Sequence, residues 1–131
     1  MENPQKHIIT EPNAGSPIGP YSQAIRVGNL LFVSGQIGLN PATGELQGPD
    51  FADEARQMMT NLGAILKKAG TSYDNVIKST IYVRDMGQFA QLNELYGGYF
   101  TAGNYPARET VEVSGLPKNA RVEISVVALV P

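Results

Sequence analysis

An arginine and a glutamate on two successive strand-like runs, Arg108 and Glu123, are the pair in this chain best suited to chemistry on a small organic acid. A guanidinium presents a planar fork of N–H donors that grips a carboxylate through two parallel hydrogen bonds. A carboxyl group beside it can move protons to and from a water that attacks an adjacent imine carbon. The competing expectation is a structural ion pair of Arg108 with Glu109 or Glu112, which contributes little. Tyr21 follows the turn-rich Gly19-Pro20. It either reaches over such a site with its hydroxyl or packs its loop onto a sheet.

Other chemistries are narrowed by what the chain lacks. With no cysteine there is no thiolate nucleophile, thiolate metal site or disulfide. The single histidine, His7, rules out sites that need two imidazoles and reads as a solvated or strand-edge residue. Lys78 in mid-strand has the chemistry for a Schiff base, but a lysine that runs along apolar surface to water is the plainer reading. Glu45, Asp50, Asp53 and Glu54 show no metal-ligand spacing, and no glycine-rich nucleotide motif is present. No metal and no cofactor are therefore expected. The formal net charge is −2, with Lys and Arg scattered, which argues against a nucleic-acid partner. The longest apolar run, Val126 to Val130, suits a buried strand and is far short of the ~20 residues of a membrane span. Met1 to Thr10 lacks the apolar stretch of a signal peptide, so cytoplasmic residence is expected.

The elements that must position these residues are legible from periodicity. His7-Ile8-Ile9 reads as a short strand. Ser22 to Val27 and Leu30 to Ser34 read as strands joined by a Gly28-Asn29 hairpin turn. Residues 50 to 69 carry an apolar stripe from Phe51 to Ala69, with Asp50 as N-cap, Lys67 and Lys68 in the last turn, and Gly70 as a left-handed cap. Val76 to Arg84 reads as a strand, with Ile77, Ser79, Ile81 and Val83 on one face. Asp85, with Gln88 three residues on, is placed as the cap of a second helix whose stripe is Phe89, Leu92, Tyr96, Tyr99 and Phe100. Gly97-Gly98 weakens that helix, which suggests a neighbouring backbone packed closely there. Arg108 to Ser114 and Ala120 to Val130 are the final strands, and the last is apolar enough for the middle of a sheet.

This order predicts one domain, residues 1–131, of α+β class, with a single sheet and both helices on one face. Alternation sets Val111 and Val113 against Arg108, Thr110 and Glu112, and sets Val122, Ile124, Val126 and Ala128 against Glu123, Ser125 and Val127. The expectation is that each apolar set packs under the helices. The polar sets, Arg108 and Glu123 included, would then share the open face, which a partner subunit would cover.

Several separated blocks resemble the RidA (YjgF-type) family. They are Ile18-Gly19-Pro20-Tyr21-Ser22-Gln23-Ala24, Val33-Ser34-Gly35-Gln36-Ile37, and Tyr105-Pro106-Ala107-Arg108 running on to Val122-Glu123-Ile124. The resemblance extends from about Ile18 to Val130. It implies a chorismate-mutase-like single mixed β-sheet with two α-helices on one face, trimeric, and a final strand inside the sheet. It also implies three intersubunit sites that hydrolyse enamine/imine intermediates (2-aminoacrylate, 2-iminopropanoate, 2-iminobutanoate) to 2-keto acids and ammonia. Arg108 would hold the substrate carboxylate and Glu123 would activate water, while Tyr21, Ser34, Gly35, Asn93 and the backbone of Thr110 line the pocket. Thr110 departs from the cysteine common in the family, and Ser125 from a second glutamate. The alternative is a non-catalytic trimer that binds small 2-keto or other carboxylic acids. An RNA-cleaving role sits poorly with the acidic charge.

Overall fold

The apolar run at the end of the chain lies in the middle of a six-stranded sheet, as its composition predicts. In the computed structural model, which describes residues 5–131, the elements follow as β1 (Lys6–Ile9), β2 (Ala24–Val27), β3 (Leu30–Gln36), α1 (Phe51–Lys68), β4 (Val76–Val83), α2 (Phe89–Gly97), β5 (Ala107–Glu112) and β6 (Val122–Leu129). The strand order is β1-β2-β3-β6-β4-β5. All neighbours are antiparallel except β4 and β5, which run parallel and are joined through α2. The last two strands thus form no hairpin, because β4 separates them.

Helix α1 begins and ends where its capping residues require. Asp50 accepts a hydrogen bond from the Asp53 amide at 3.0 Å, and Gly70, at φ +85°, supplies the left-handed residue after the last turn. Its stripe of Met58, Met59, Leu62, Ile65 and Leu66 is fully buried. Each such side chain contributes about 1.5–3 kcal/mol by leaving water. It packs on Leu31, Val33, Ile81, Val83, Val122 and Ile124, which all point to the same side of the sheet. Leu92 and Tyr96 bring α2 into that core.

Three local expectations are corrected. Val76 pairs with Ala128 and Lys78 with Val127, so Ile77 is an extra residue in a β-bulge. The bulge throws Ile77 outward, 42% exposed, and gives its inward place to Val76. Asp85 caps a single 3₁₀ turn, Met86–Gln88, by accepting from the Gly87 amide at 2.8 Å, and α2 itself starts only at Phe89. Gly97-Gly98 marks the end of α2 and not a close approach: a Cβ at Gly97 would meet nothing within 4 Å.

Among the described residues, the other side of the sheet carries no helix. Across it Ile8, Ile25, Phe32, Val127, Lys78 and Ala107 line up in register. Ile8 is 61% exposed and Phe32 46%. The row leaves apolar side chains in contact with solvent on a sheet face. Among the described residues no helix is long and apolar enough to cross a membrane.

Candidate active site

Glu123 stands on the open face of β6, opposite Tyr82 of β4, and lines a small cavity of about 30 Å³ with Tyr21, Gly35, Ile18, Ile37 and Pro117. Burial pushes its carboxyl pKa above the ordinary glutamate value. Gly35 makes the space: a Cβ there would come within 2.7 Å of the Glu123 carboxyl carbon and Oε2. The expected result for Gly35→Ala follows. The flexible end of Glu123 swings aside at little cost to folding, and a misplaced carboxyl group loses on the order of a hundredfold in turnover. Thermal melting beside a turnover assay checks it, and a variant of full activity excludes a role for that carboxyl position.

The wall of this cavity is the β1–β2 connection, and Gln23 ties it down. The buried Gln23 amide donates to the carbonyls of Glu11 at 3.1 Å and Gly15 at 3.0 Å, and its Oε1 accepts from the Glu11 amide at 2.6 Å. Ser34 donates through its hydroxyl to the Ser22 carbonyl at 2.6 Å, so it holds the base of the same loop. Tyr21 is 46% exposed at the cavity mouth, and its hydroxyl accepts from the Ile18 amide at 3.4 Å. On the far side Glu54, buried in the first turns of α1, takes the Arg121 amide at 2.7 Å and the Arg121 Nε at 3.0 Å. That pair anchors the chain two residues before Glu123.

Arg108 lies elsewhere, and this corrects the expectation that it shares a face with Glu123. β5 pairs in parallel register with β4, Ser79 opposite Arg108 and Ile81 opposite Thr110. Ser79 and Ile81 point under the helices, so Arg108 and Thr110 do too, and Val111 is left 40% exposed on the open side. Tyr82, which points the other way, is the partner of Glu123. Strand spacing and register put the two Cα atoms on the order of 14 Å apart, with side chains on opposite faces. One chain cannot bring them together. The physical reason is that β5 is an edge strand under a short helix, so its inward face is not sealed and tolerates polar side chains.

The ion pair that competed for Arg108 is absent among the described residues. Glu109 bonds Lys78 at 2.5 Å, and Glu112 accepts from the Met86 amide at 2.9 Å. The Arg108 guanidinium carbon instead lies 5.1 Å from the Tyr96 ring centre and 5.5 Å from that of Phe89. Asn93 sits between those two residues along α2. Its Oδ1 and the Thr110 Oγ1 are buried without a hydrogen-bond partner among the described residues. The candidate residues therefore fall into two separate groups. Tyr21, Gly35 and Glu123 line the cavity, whereas Ser34, expected there, spends its hydroxyl on the Ser22 carbonyl, and Asn93, Arg108 and Thr110 group at the rim under α2. No group of three His, Cys, Asp or Glu residues among those described is placed to hold a metal.

Sequence reasoning missed Gln23, Glu54 and the rings beside Arg108. Gln23 falls inside the Ile18–Ala24 block but has no motif of its own. Glu54 looks like one more helix-terminal acid. Phe89 and Tyr96 read as core because they are largely that.

Comparison with known proteins places the chain in a family. The model of the Endoribonuclease L-PSP family matches residues 11–130. A RutC family protein of Pyrococcus horikoshii is 50% identical over 94% of this chain and 97% of its own length. The human 2-iminobutanoate/2-iminopropanoate deaminase is 43% identical over 95% of this chain and 90% of its own. Among solved structures, a conserved Rid-family protein of Yersinia pestis superposes with a TM-score of 0.93 at 47% identity, covering 96% of this chain and all of that one (100%). The chain belongs to the Endoribonuclease L-PSP family, the group that includes the RutC and RidA proteins.

Proposed function

We propose that this protein hydrolyses small 2-imino acids to 2-keto acids and ammonia, at sites completed between copies of a homotrimer. The observation that carries this reading is the division of the site. Arg108, free of any carboxylate among the described residues, sits at the rim on one face, and the half-buried Glu123 sits in a cavity on the other. The open sheet face bears the apolar row that a partner would cover. Closing one copy's open face against the rim of the next would set the two half-sites opposite each other across a cleft. The deaminase name of the human relative agrees with this chemistry.

The chemistry needs few groups. Arg108 holds the substrate carboxylate through its fork, with Asn93 and Thr110 beside it. Water attacks the imine carbon as the Glu123 carboxylate takes its proton, and the C=N electron pair moves to nitrogen. Protonated Glu123 returns the proton to that nitrogen. The Glu123 carboxylate then takes the hydroxyl proton of this carbinolamine and passes it to the amino nitrogen, and the oxygen lone pair forms C=O as the C–N bond breaks, so that ammonia leaves behind a 2-keto acid. Enamines such as 2-aminoacrylate enter through their imine tautomers. The nuclease named in the family description fits less well, because a net charge of −2 with scattered basic residues offers no track for phosphates.

A mixing experiment tests the divided site. Arg108→Ala and Glu123→Gln are each expected to retain at most about 3% of wild-type activity alone. Refolded together in equal amounts, they regain about one quarter of wild-type activity, because a random cyclic trimer pairs an intact Arg108 with an intact neighbouring Glu123 at that frequency. No recovery in mixed trimers would show that both residues act from one chain, or that neither acts. Wild-type protein that binds a 2-keto acid but adds nothing to the spontaneous rate would leave the non-catalytic binding module instead.

A further inference from the structure

Arg108 is a half-buried cation with no acidic partner among the described residues, yet it is not loose. Its guanidinium carbon lies 5.1 Å from the centre of the Tyr96 ring and 5.5 Å from that of Phe89. Those residues are two turns apart on the same side of α2. Tyr96 is itself fixed, since its hydroxyl donates to the fully buried Ser79 Oγ at 2.9 Å. Ser79 is the residue of β4 directly opposite Arg108 in the β4–β5 register. The strand pair that places the arginine therefore also places the ring against it.

We propose that Phe89 and Tyr96 form an aromatic cradle that aims Arg108 in place of a counter-ion, and that Tyr96, through its ring, is a positioning residue for carboxylate capture. This rests on the reading of Arg108 as the substrate anchor. A carboxylate partner would occupy the N–H fork, and every incoming acid would have to displace it. Aromatic rings attract the guanidinium through their π faces and leave its in-plane donors free. Burial also raises the Tyr96 pKa, which keeps the phenol neutral and bonded to Ser79. The neighbouring acids are engaged elsewhere, Glu109 with Lys78 and Glu112 with the Met86 amide, so none competes for the fork.

The test uses the whole protein and two readouts. The first is the Arg108 Nε–Hε resonance without ligand. The rings should shift it upfield in wild type and in Tyr96→Phe, and Tyr96→Leu should move it toward the ordinary arginine position. The second is calorimetric binding of 2-oxobutanoate together with steady-state kinetics. Tyr96→Leu should weaken binding and raise KM on the order of tenfold with kcat little changed, whereas Tyr96→Phe should stay within about threefold of wild type. If Tyr96→Leu does not fold, Phe89→Leu replaces it, because Phe89 is only half-buried, and a severalfold loss of affinity is expected. Loss of binding in Arg108→Ala, with the folded leucine variant binding like wild type, overturns the cradle and spares the anchor. Wild-type binding in Arg108→Ala overturns the anchor itself.

Discussion

Arg108→Ala is expected to lose between about thirtyfold and a thousandfold in kcat/KM for an iminopropanoate generated in situ, with the assembly intact. The range follows from losing a charge-assisted, two-pronged bond in a partly buried cleft, worth about 2–4 kcal/mol. A substrate this small has only its carboxylate and its imine to be held by. Without the guanidinium the acid is both more weakly bound and less well aligned, so KM rises and kcat falls together. The fold should not suffer, because Arg108 lies at the rim and makes no ion pair among the described residues. Size-exclusion chromatography with light scattering checks the assembly, and keto-acid release above the spontaneous rate checks the activity. Arg108→Lys should recover only part of the loss, since an ammonium cannot form the fork. A fully active Arg108→Ala protein would end the proposed chemistry.

Glu123→Gln is expected to lower kcat about a hundredfold to ten-thousandfold with little change in KM, the span typical of a lost acid–base group. The pH dependence gives the sharper signature. Burial raises the Glu123 pKa, and the attacking water needs the ionised carboxylate. The acidic limb of the wild-type rate profile should then fall above the ordinary glutamate pKa, with activity dropping as pH decreases through it. In the assembled site the substrate carboxylate would occupy Arg108, which leaves burial as the main influence on Glu123. The glutamine variant should lack that limb. Stability should change in the opposite sense to activity. A carboxyl group with a raised pKa holds its proton more tightly in the folded state, so folding loses stability as pH rises from the unfolded pKa through the folded one. Glutamine removes that loss and should melt at the same temperature or slightly higher at neutral pH. A rate profile with identical acidic limbs in both proteins would assign the titration to another group.

The local signals translate directly into elements wherever short-range chemistry decides the outcome. Asp50, the stripe from Phe51 to Ala69 and Gly70 specify α1 because caps and a 3.6-residue period act within a few residues of one another. Gly28-Asn29 closes the β2–β3 hairpin for the same reason, with Gly28 at φ +60°. The apolar end of β6 agrees with its central place, with Val122, Ile124, Val126 and Ala128 under the helices and Val127 and Leu129 on the open face. The site residues are individually visible as blocks of family-like sequence. Their grouping is not.

Alternation says which residues of a strand lie on the same side, but not which side of the sheet that is. For β6 the apolar set decides it, because Val122, Ile124, Val126 and Ala128 must be buried. For β5 both sets are mixed, and the choice passes to its parallel register with β4, set by Ser79 against Arg108. A single extra residue at Ile77 likewise reverses the phase of β4 upstream of Lys78. By itself the sequence determined the elements, their order and the residues equipped for chemistry, because propensity, capping and periodicity are local. Only the tertiary structure decided that Arg108 and Glu123 face opposite ways, so that one chain cannot bring them together, because face and register are settled by pairing between strands far apart in the chain.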